Sequence, residues 1–85
     1  MHLFYAGPWN YIEWEGNWCT PYIKPKKIYD SFLEAKEACS INEKCDMFYD
    51  RRGIKKYYLC EGSSTVKQSS KGSILYRKKG IYILR

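Results

Sequence analysis

Across residues 31–40 the apolar positions Phe32, Ala35, Ala38 and Cys39 recur at helical spacing, with Lys36 and Glu37 facing outward. The run Ser31-Phe32-Leu33-Glu34 has the form of a capping box, in which the Ser31 hydroxyl accepts from the Glu34 amide and the Glu34 carboxylate reaches back. The spacing predicts a helix of about ten residues, and the small Ala35 and Ala38 let it sit close against a sheet. Elsewhere the pattern has a period of two. Tyr11-Ile12-Glu13-Trp14-Glu15 predicts a short strand, and the prolines at 8, 21 and 25 argue against any helix in the first 25 residues. Cys45–Asp50 predicts a strand, Arg51-Arg52-Gly53 a turn, and Lys56-Tyr57-Tyr58-Leu59-Cys60 its antiparallel partner. Residues 61–72, rich in Ser and Gly, read as a loop. Ser73-Ile74-Leu75-Tyr76-Arg77-Lys78 predicts another strand, and Lys79-Gly80 a reversal that pairs Ile81-Tyr82-Ile83-Leu84 back as a hairpin, Gly80 supplying the positive φ. The expected fold class is therefore α+β: one α-helix on one face of a twisted antiparallel β-sheet of about five strands.

The chain has 85 residues, which implies one domain over residues 1–85: an aromatic N-terminal segment at 1–25, a core at 28–78 and a C-terminal strand or tail at 79–85. A domain of this size buries only about two-thirds of the surface its unfolded chain exposes, so its core is marginal without help. Aromatic residues make up 18%, nine of them Tyr and three Trp, which excludes a disordered tail. No apolar run approaches the roughly 20 residues that span a bilayer, and Met1-His2-Leu3-Phe4-Tyr5 lacks the basic start and long apolar stretch of a signal peptide.

Cys19, Cys39, Cys45 and Cys60 are an even count in a small polar chain, which reads as two disulfides in a secreted protein. Structural zinc sites need two close pairs of ligands, and here only Cys39 and Cys45 are close. Of the three possible pairings, Cys39–Cys45 with Cys19–Cys60 is expected, the short loop running from the end of the helix into the next strand. The pairing Cys39–Cys60 with Cys19–Cys45 keeps the fold class but ties the helix to a different strand. No cofactor is implied. The sole histidine is His2, and no nucleophile–base pair or metal set can be named, so an enzyme is not expected.

The stretch from Ser31 to Phe48, with Ala35, Ala38 and Cys39 on the helix and Cys45-Asp46-Met47-Phe48 entering a strand, resembles the helix-and-bridge core of PAN/apple domains. Tyr57-Tyr58-Leu59-Cys60 and the segment ending Arg77-Lys78 are similar to the later strands of that module, so the resemblance covers roughly residues 28–78. It implies a twisted antiparallel sheet around one helix, an extracellular setting, and binding of proteins or carbohydrates without catalysis. Apple domains often carry a further helix cysteine one turn before the position matched by Cys39. Here Ala35 stands in that place, so the resemblance leaves Cys60, which matches that cysteine's usual partner, to pair with Cys19. The segment 1–25 maps onto nothing in the family, and no fixed ligand residues carry over.

Charge then narrows the candidate chemistry. Fifteen Lys and Arg against nine Asp and Glu give a net charge of +6. The basic residues cluster at Lys24-Pro25-Lys26-Lys27, at Arg51-Arg52-Gly53-Ile54-Lys55-Lys56 and at Arg77-Lys78-Lys79, the last two expected at nearby strand ends. Such lysines keep a small protein soluble and blunt strand edges. Read functionally, they form a patch for sulfated glycans, acidic proteins, anionic lipid heads or a mineral surface. Nucleic acid is not expected, since no recognised motif is present and the compartment is oxidising. Trp14 and Trp18 read as core plugs, whereas Trp9 in Gly-Pro-Trp-Asn sits on a turn where it can stack on a sugar or a partner. Tyr57 and Tyr58 read as alternating inward and outward. Asn10, Asn17 and Asn42 stand in no Asn-x-Ser/Thr sequon. The candidate ligand-binding set is Trp9, Tyr11, Arg51, Arg52, Lys55, Lys56, Arg77 and Lys78. The leading expectation is a secreted, non-catalytic binding module for a glycan, possibly sulfated, or an extracellular protein, monomeric or weakly self-associating. The alternative is a structural or adhesive matrix protein in which tyrosine and lysine act collectively. A toxin or protease inhibitor has no specific support.

Overall fold

The computed structural model describes residues 10–69 and 71–79. In chain order it contains β1 (Tyr11–Glu15), β2 (Asn17–Tyr22), β3 (Ile28–Tyr29), α1 (Phe32–Ile41), β4 (Cys45–Asp50), β5 (Tyr57–Gln68) and β6 (Ile74–Lys78). All strands pair antiparallel in one sheet of six, ordered β1-β6-β4-β5-β2, with β3 on β5 beside this path. The expected hairpin strand Ile81-Tyr82-Ile83-Leu84 lies outside the described residues.

Helix α1 forms where the local signals place it. Ser31, in extended backbone, accepts the Glu34 amide at 3.0 Å through its hydroxyl. At the other end the Asn42 carbonyl accepts from the Cys45 amide at 2.9 Å, and the Asn42 side chain takes the Lys44 amide at 2.9 Å. That tight reversal brings the Cα atoms of Cys39 and Cys45 to 5.2 Å, and a disulfide joins them. Ala35 and Cys39 are fully buried against the sheet. Phe32 keeps its outer edge in solvent, with its ring set among Phe48, Tyr57 and Tyr76.

The sheet corrects the expected architecture, although the broad α+β class holds. The expectation was a helix laid on a twisted sheet of about five strands. The sheet instead has six strands and curls into a half-barrel with a core on each side. The reason lies in β1 and β2. They occupy opposite ends of the strand order, yet only Gly16 separates them in sequence. The sheet therefore bends until its two edges meet at that residue. Gly16 has φ +77°, a left-handed conformation that glycine adopts without steric penalty. Its amide donates to the Ser73 carbonyl at 2.7 Å and its carbonyl accepts from Ser69 at 2.7 Å, closing that end.

Strand β5 makes the curl possible, and it overturns the first part of the loop expected at residues 61–72, since the strand runs on to Gln68. Its first half pairs with β4 from Tyr57 to Glu61, and its second half pairs with β2, with Cys19 opposite Val66 and Asn17 opposite Gln68. The Ser- and Gly-rich composition is a half-exposed strand, and its β-branched Thr65-Val66 lies in the half that pairs with β2. The β2–β5 arm folds over the concave side, so that β2 lies close to β4 and β6 without pairing with either.

Both faces of the central strands are therefore covered. Phe48, Tyr57, Leu59 and Tyr76 pack beneath α1, while Met47, Tyr49, Tyr58 and Leu75 pack inside the curl. Tyr57 and Tyr58 do not divide into inward and outward residues. They point to opposite faces, and both are buried. The Cys19–Cys60 disulfide, both cysteines at 0% exposure, ties β2 to β5 within the concave core.

The two disulfides constrain unfolded loops of very different length, with sequence separations of 41 and 6. The loop-entropy relation gives ~4 kcal/mol for Cys19–Cys60 and ~2.4 kcal/mol for Cys39–Cys45. Urea unfolding of the paired variants C19A/C60A and C39A/C45A is expected to show the larger loss in the first. Equal losses, or the reverse order, would refute the assignment of the long bridge as the main staple.

Candidate functional site

An open basin of about 510 Å³ lies where the half-barrel meets the loops that follow β4 and β5. Trp18 and Tyr22 of β2 form one wall and Tyr49 of β4 the floor, while Gln68, Ser69, Lys71 and Ser73 come from the end of β5 and the loop before β6. Arg51 and Arg52 arrive from the turn after β4, and Lys26 from the segment joining β2 to β3. No described Asp or Glu lines it, so four cations face the basin without a carboxylate among its walls.

The aromatic side is a stack. Tyr49 and Tyr58 lie at 5.4 Å and 20°, and Tyr22 and Tyr58 at 5.2 Å and 29°. The hydroxyls of Tyr22 and Tyr49 meet at 2.9 Å. The Lys26 ammonium sits 5.0 Å over Tyr22 and 5.4 Å over Tyr58, close enough to be drawn by both ring faces. Arg51 donates to the Tyr58 hydroxyl at 3.4 Å, a contact that raises its pKa and fixes the guanidinium at the rim. Burial, followed by the hydrogen bond to Tyr22, pushes the Tyr49 phenol well above its ordinary value.

The turn carrying the arginines is held from several sides. Buried Asp50 accepts the Lys55 amide at 2.7 Å, and Arg51 donates its amide to the Lys56 carbonyl at 2.9 Å. The Arg52 amide donates to the Ser73 hydroxyl at 3.0 Å. Arg52 and Lys55 both adopt positive φ, 57° and 64°, in a region that costs a non-glycine residue roughly 1 kcal/mol or more. The Asp50 and Ser73 contacts hold these conformations, and with them the position of Arg52 beside the basin.

Of the residues expected to bind ligand, Arg51 and Arg52 line the basin. Trp9 lies outside the described residues. Tyr11 belongs to the packing beneath the helix: its ring meets Phe48 edge-on at 5.2 Å and its hydroxyl bonds Ser40 at 2.9 Å, while burial raises its pKa. Lys55 serves through its backbone, and Lys56 is paired with Asp30 at 2.7 Å, a contact that raises its pKa. Arg77 lies 3.6 Å from Asp46 and 5.7 Å over the Trp14 ring. Lys78 donates to the Asn42 carbonyl at 3.3 Å and has its pKa lowered by burial. The expected proximity of the Arg51 and Arg77 clusters is also overturned. Asp50 pairs with Ile74 and Met47 with Arg77, so the two clusters sit at opposite ends of β4.

Trp18, Tyr22, Tyr49 and Lys71 were not singled out as ligand residues, and Lys26 appeared only within a basic cluster. Trp18 reads as a core residue by composition, and it does pack partly against the concave core while its remaining surface faces the basin. All four cysteines are in disulfides, so none is left as a thiolate ligand. No helix of the described residues is long and apolar enough to cross a membrane. No family model, no curated protein and no solved structure matches the chain.

The arrangement sets the half-buried rings of Trp18 and Tyr22 beside four cations, which suits a ligand that has both a ring face and negative charge. It also has an alkaline signature. Tyr49 and Tyr76 are raised, Tyr76 to about 12 and mainly by burial, so their neutral forms are favoured in the folded state. Their stabilising effect is full below the ordinary phenol value near 10 and is lost as pH rises through the folded values. Stability is therefore expected to hold up to about pH 10 with respect to these groups and to fall above it, together with the late tyrosinate absorbance. In Tyr22→Phe the last tyrosinate step should move to lower pH. An unchanged titration would remove the Tyr22–Tyr49 hydrogen bond from the account.

Proposed function

We propose that the protein is a secreted, non-catalytic binding module whose basin takes an anionic carbohydrate. The observation that carries this reading is the convergence of Lys26, Arg51, Arg52 and Lys71 on a basin walled by Trp18, Tyr22 and Tyr49, with no described carboxylate lining it. A sugar ring can stack on the half-buried Trp18 or Tyr22, and sulfate or carboxylate groups accept from guanidinium and ammonium groups. Two disulfides support an oxidising, extracellular setting. The capped helix, its short bridge to β4 and the entry of Phe48 into the core support the likeness to PAN/apple modules that belongs to the same proposal. The adhesive alternative draws less support, because Tyr11, Tyr49, Tyr57, Tyr58 and Tyr76 are engaged in internal packing.

Titration with sulfated heparin fragments, followed by tryptophan fluorescence, tests the reading. Affinity is expected to fall steeply with added salt. The variant R52A/K71A should bind about tenfold more weakly, taking the upper range for exposed ion pairs, and W18F should lose most of the fluorescence response. Binding insensitive to salt, or to both variants, would overturn it.

A further inference from the structure

The segment 23–27 leaves the end of β2 opposite Cys60 and returns as β3 opposite Tyr58, on the same edge of β5. Its base is pinned where the Ile23 amide donates to the Leu59 carbonyl at 2.9 Å. It thus stands out from the sheet as a strap with a cleft on either side. On the concave side is the basin, reached by Lys26. On the helix side is a second cleft of about 240 Å³, lined by Lys24, Pro25, Lys27 and Tyr29 from the strap and β3, and floored by Leu59 and Ala38.

The second cleft repeats the chemistry of the first on a smaller scale. Lys27 holds its ammonium 4.8 Å over the Tyr29 ring, as Lys26 does over Tyr22 on the other side. No described carboxylate lines this cleft. Among the described residues the ion pairs involve Lys56 with Asp30 and Arg77 with Asp46, and none involves Lys24, Lys26 or Lys27. Lys26 and Lys27 are consecutive and line different clefts, so a single stretch of chain lies between the two.

A short anionic oligosaccharide can occupy one such cleft. A linear polymer that alternates ring faces and negative groups can occupy both by crossing the strap. We infer that the ligand is a linear sulfated polysaccharide, that the strap is the saddle it crosses, and that the Lys24–Lys27–Tyr29 cleft is an extension subsite. This inference rests on the anionic-carbohydrate reading of the basin and adds a chain-length requirement to it.

The test compares heparin-derived oligosaccharides, from the tetrasaccharide upward, by calorimetry on the intact, oxidised protein. Affinity is expected to rise with chain length and then level off. The variant K24A/K27A should bind the longest fragment about tenfold more weakly and the tetrasaccharide unchanged. K24E/K27E should exaggerate the loss, and K79A, whose side chain lines neither cleft, should match the parent protein. A thermal melt of each variant separates lost binding from lost folding. If K24A/K27A and K79A behave alike on the longest fragment while K26A/R52A still weakens the tetrasaccharide, the extension subsite is refuted and the basin stands. If K26A/R52A leaves every fragment unaffected, the basin reading falls and the inference falls with it.

Discussion

The fold depends on keeping β2, the far edge of the sheet, folded over its concave face. Only Gly16 links β2 to β1 at the other edge, and the β2–β5 arm extends past the end of β4 with no third strand paired to it among the described residues. A two-stranded arm is marginal in water. The Cys19–Cys60 disulfide ties it down from within, both cysteines wholly buried among Met47, Tyr49, Tyr58 and Leu75. The Cys39–Cys45 bridge acts locally by contrast, fastening the end of the helix to the first residue of β4.

The basin is a consequence of that curl. Trp18 and Tyr22 flank Cys19 on β2, whereas Tyr49 belongs to β4, and only the closed arm sets these rings together. The loops after β4 and β5 meet above them because Arg52 donates its amide to Ser73. The same hydrogen bond that steadies the turn therefore sets two arginines beside the rings. A positively charged rim beside the half-buried Trp18 and Tyr22 is what the closure leaves at the surface.

How much of this was legible in the sequence follows from how local each signal is. The helix was readable because Ser31, Glu34, Ala35 and Cys39 lie within three turns and state its start, its buried face and its end. Strand β4 was readable from its apolar run, and β1 from its alternation. The second half of β5 was not, because a Ser- and Gly-rich stretch becomes a strand only through β2, whose residues lie more than forty positions earlier. The single-residue junction at Gly16 looks in sequence like an ordinary turn, and its role emerges only from the strand order. The site was half legible for the same reason. Arg51 and Arg52 form a visible cluster, but the register sends Arg77 and Lys78 to the other end of β4. Nothing local to Trp18, Tyr22 or Tyr49 signals that they share a basin. Tyr11, an aromatic residue in an aromatic segment, looked available for stacking and is instead committed to Phe48 and Ser40.

Mass-spectrometric mapping of the non-reduced native protein tests the central claim most directly. The account predicts cross-linked peptides joining Cys19 to Cys60 and Cys39 to Cys45, with no alkylatable thiol. Cross-links from Cys39 to Cys60 and from Cys19 to Cys45, or free thiols at any of the four positions, would contradict it.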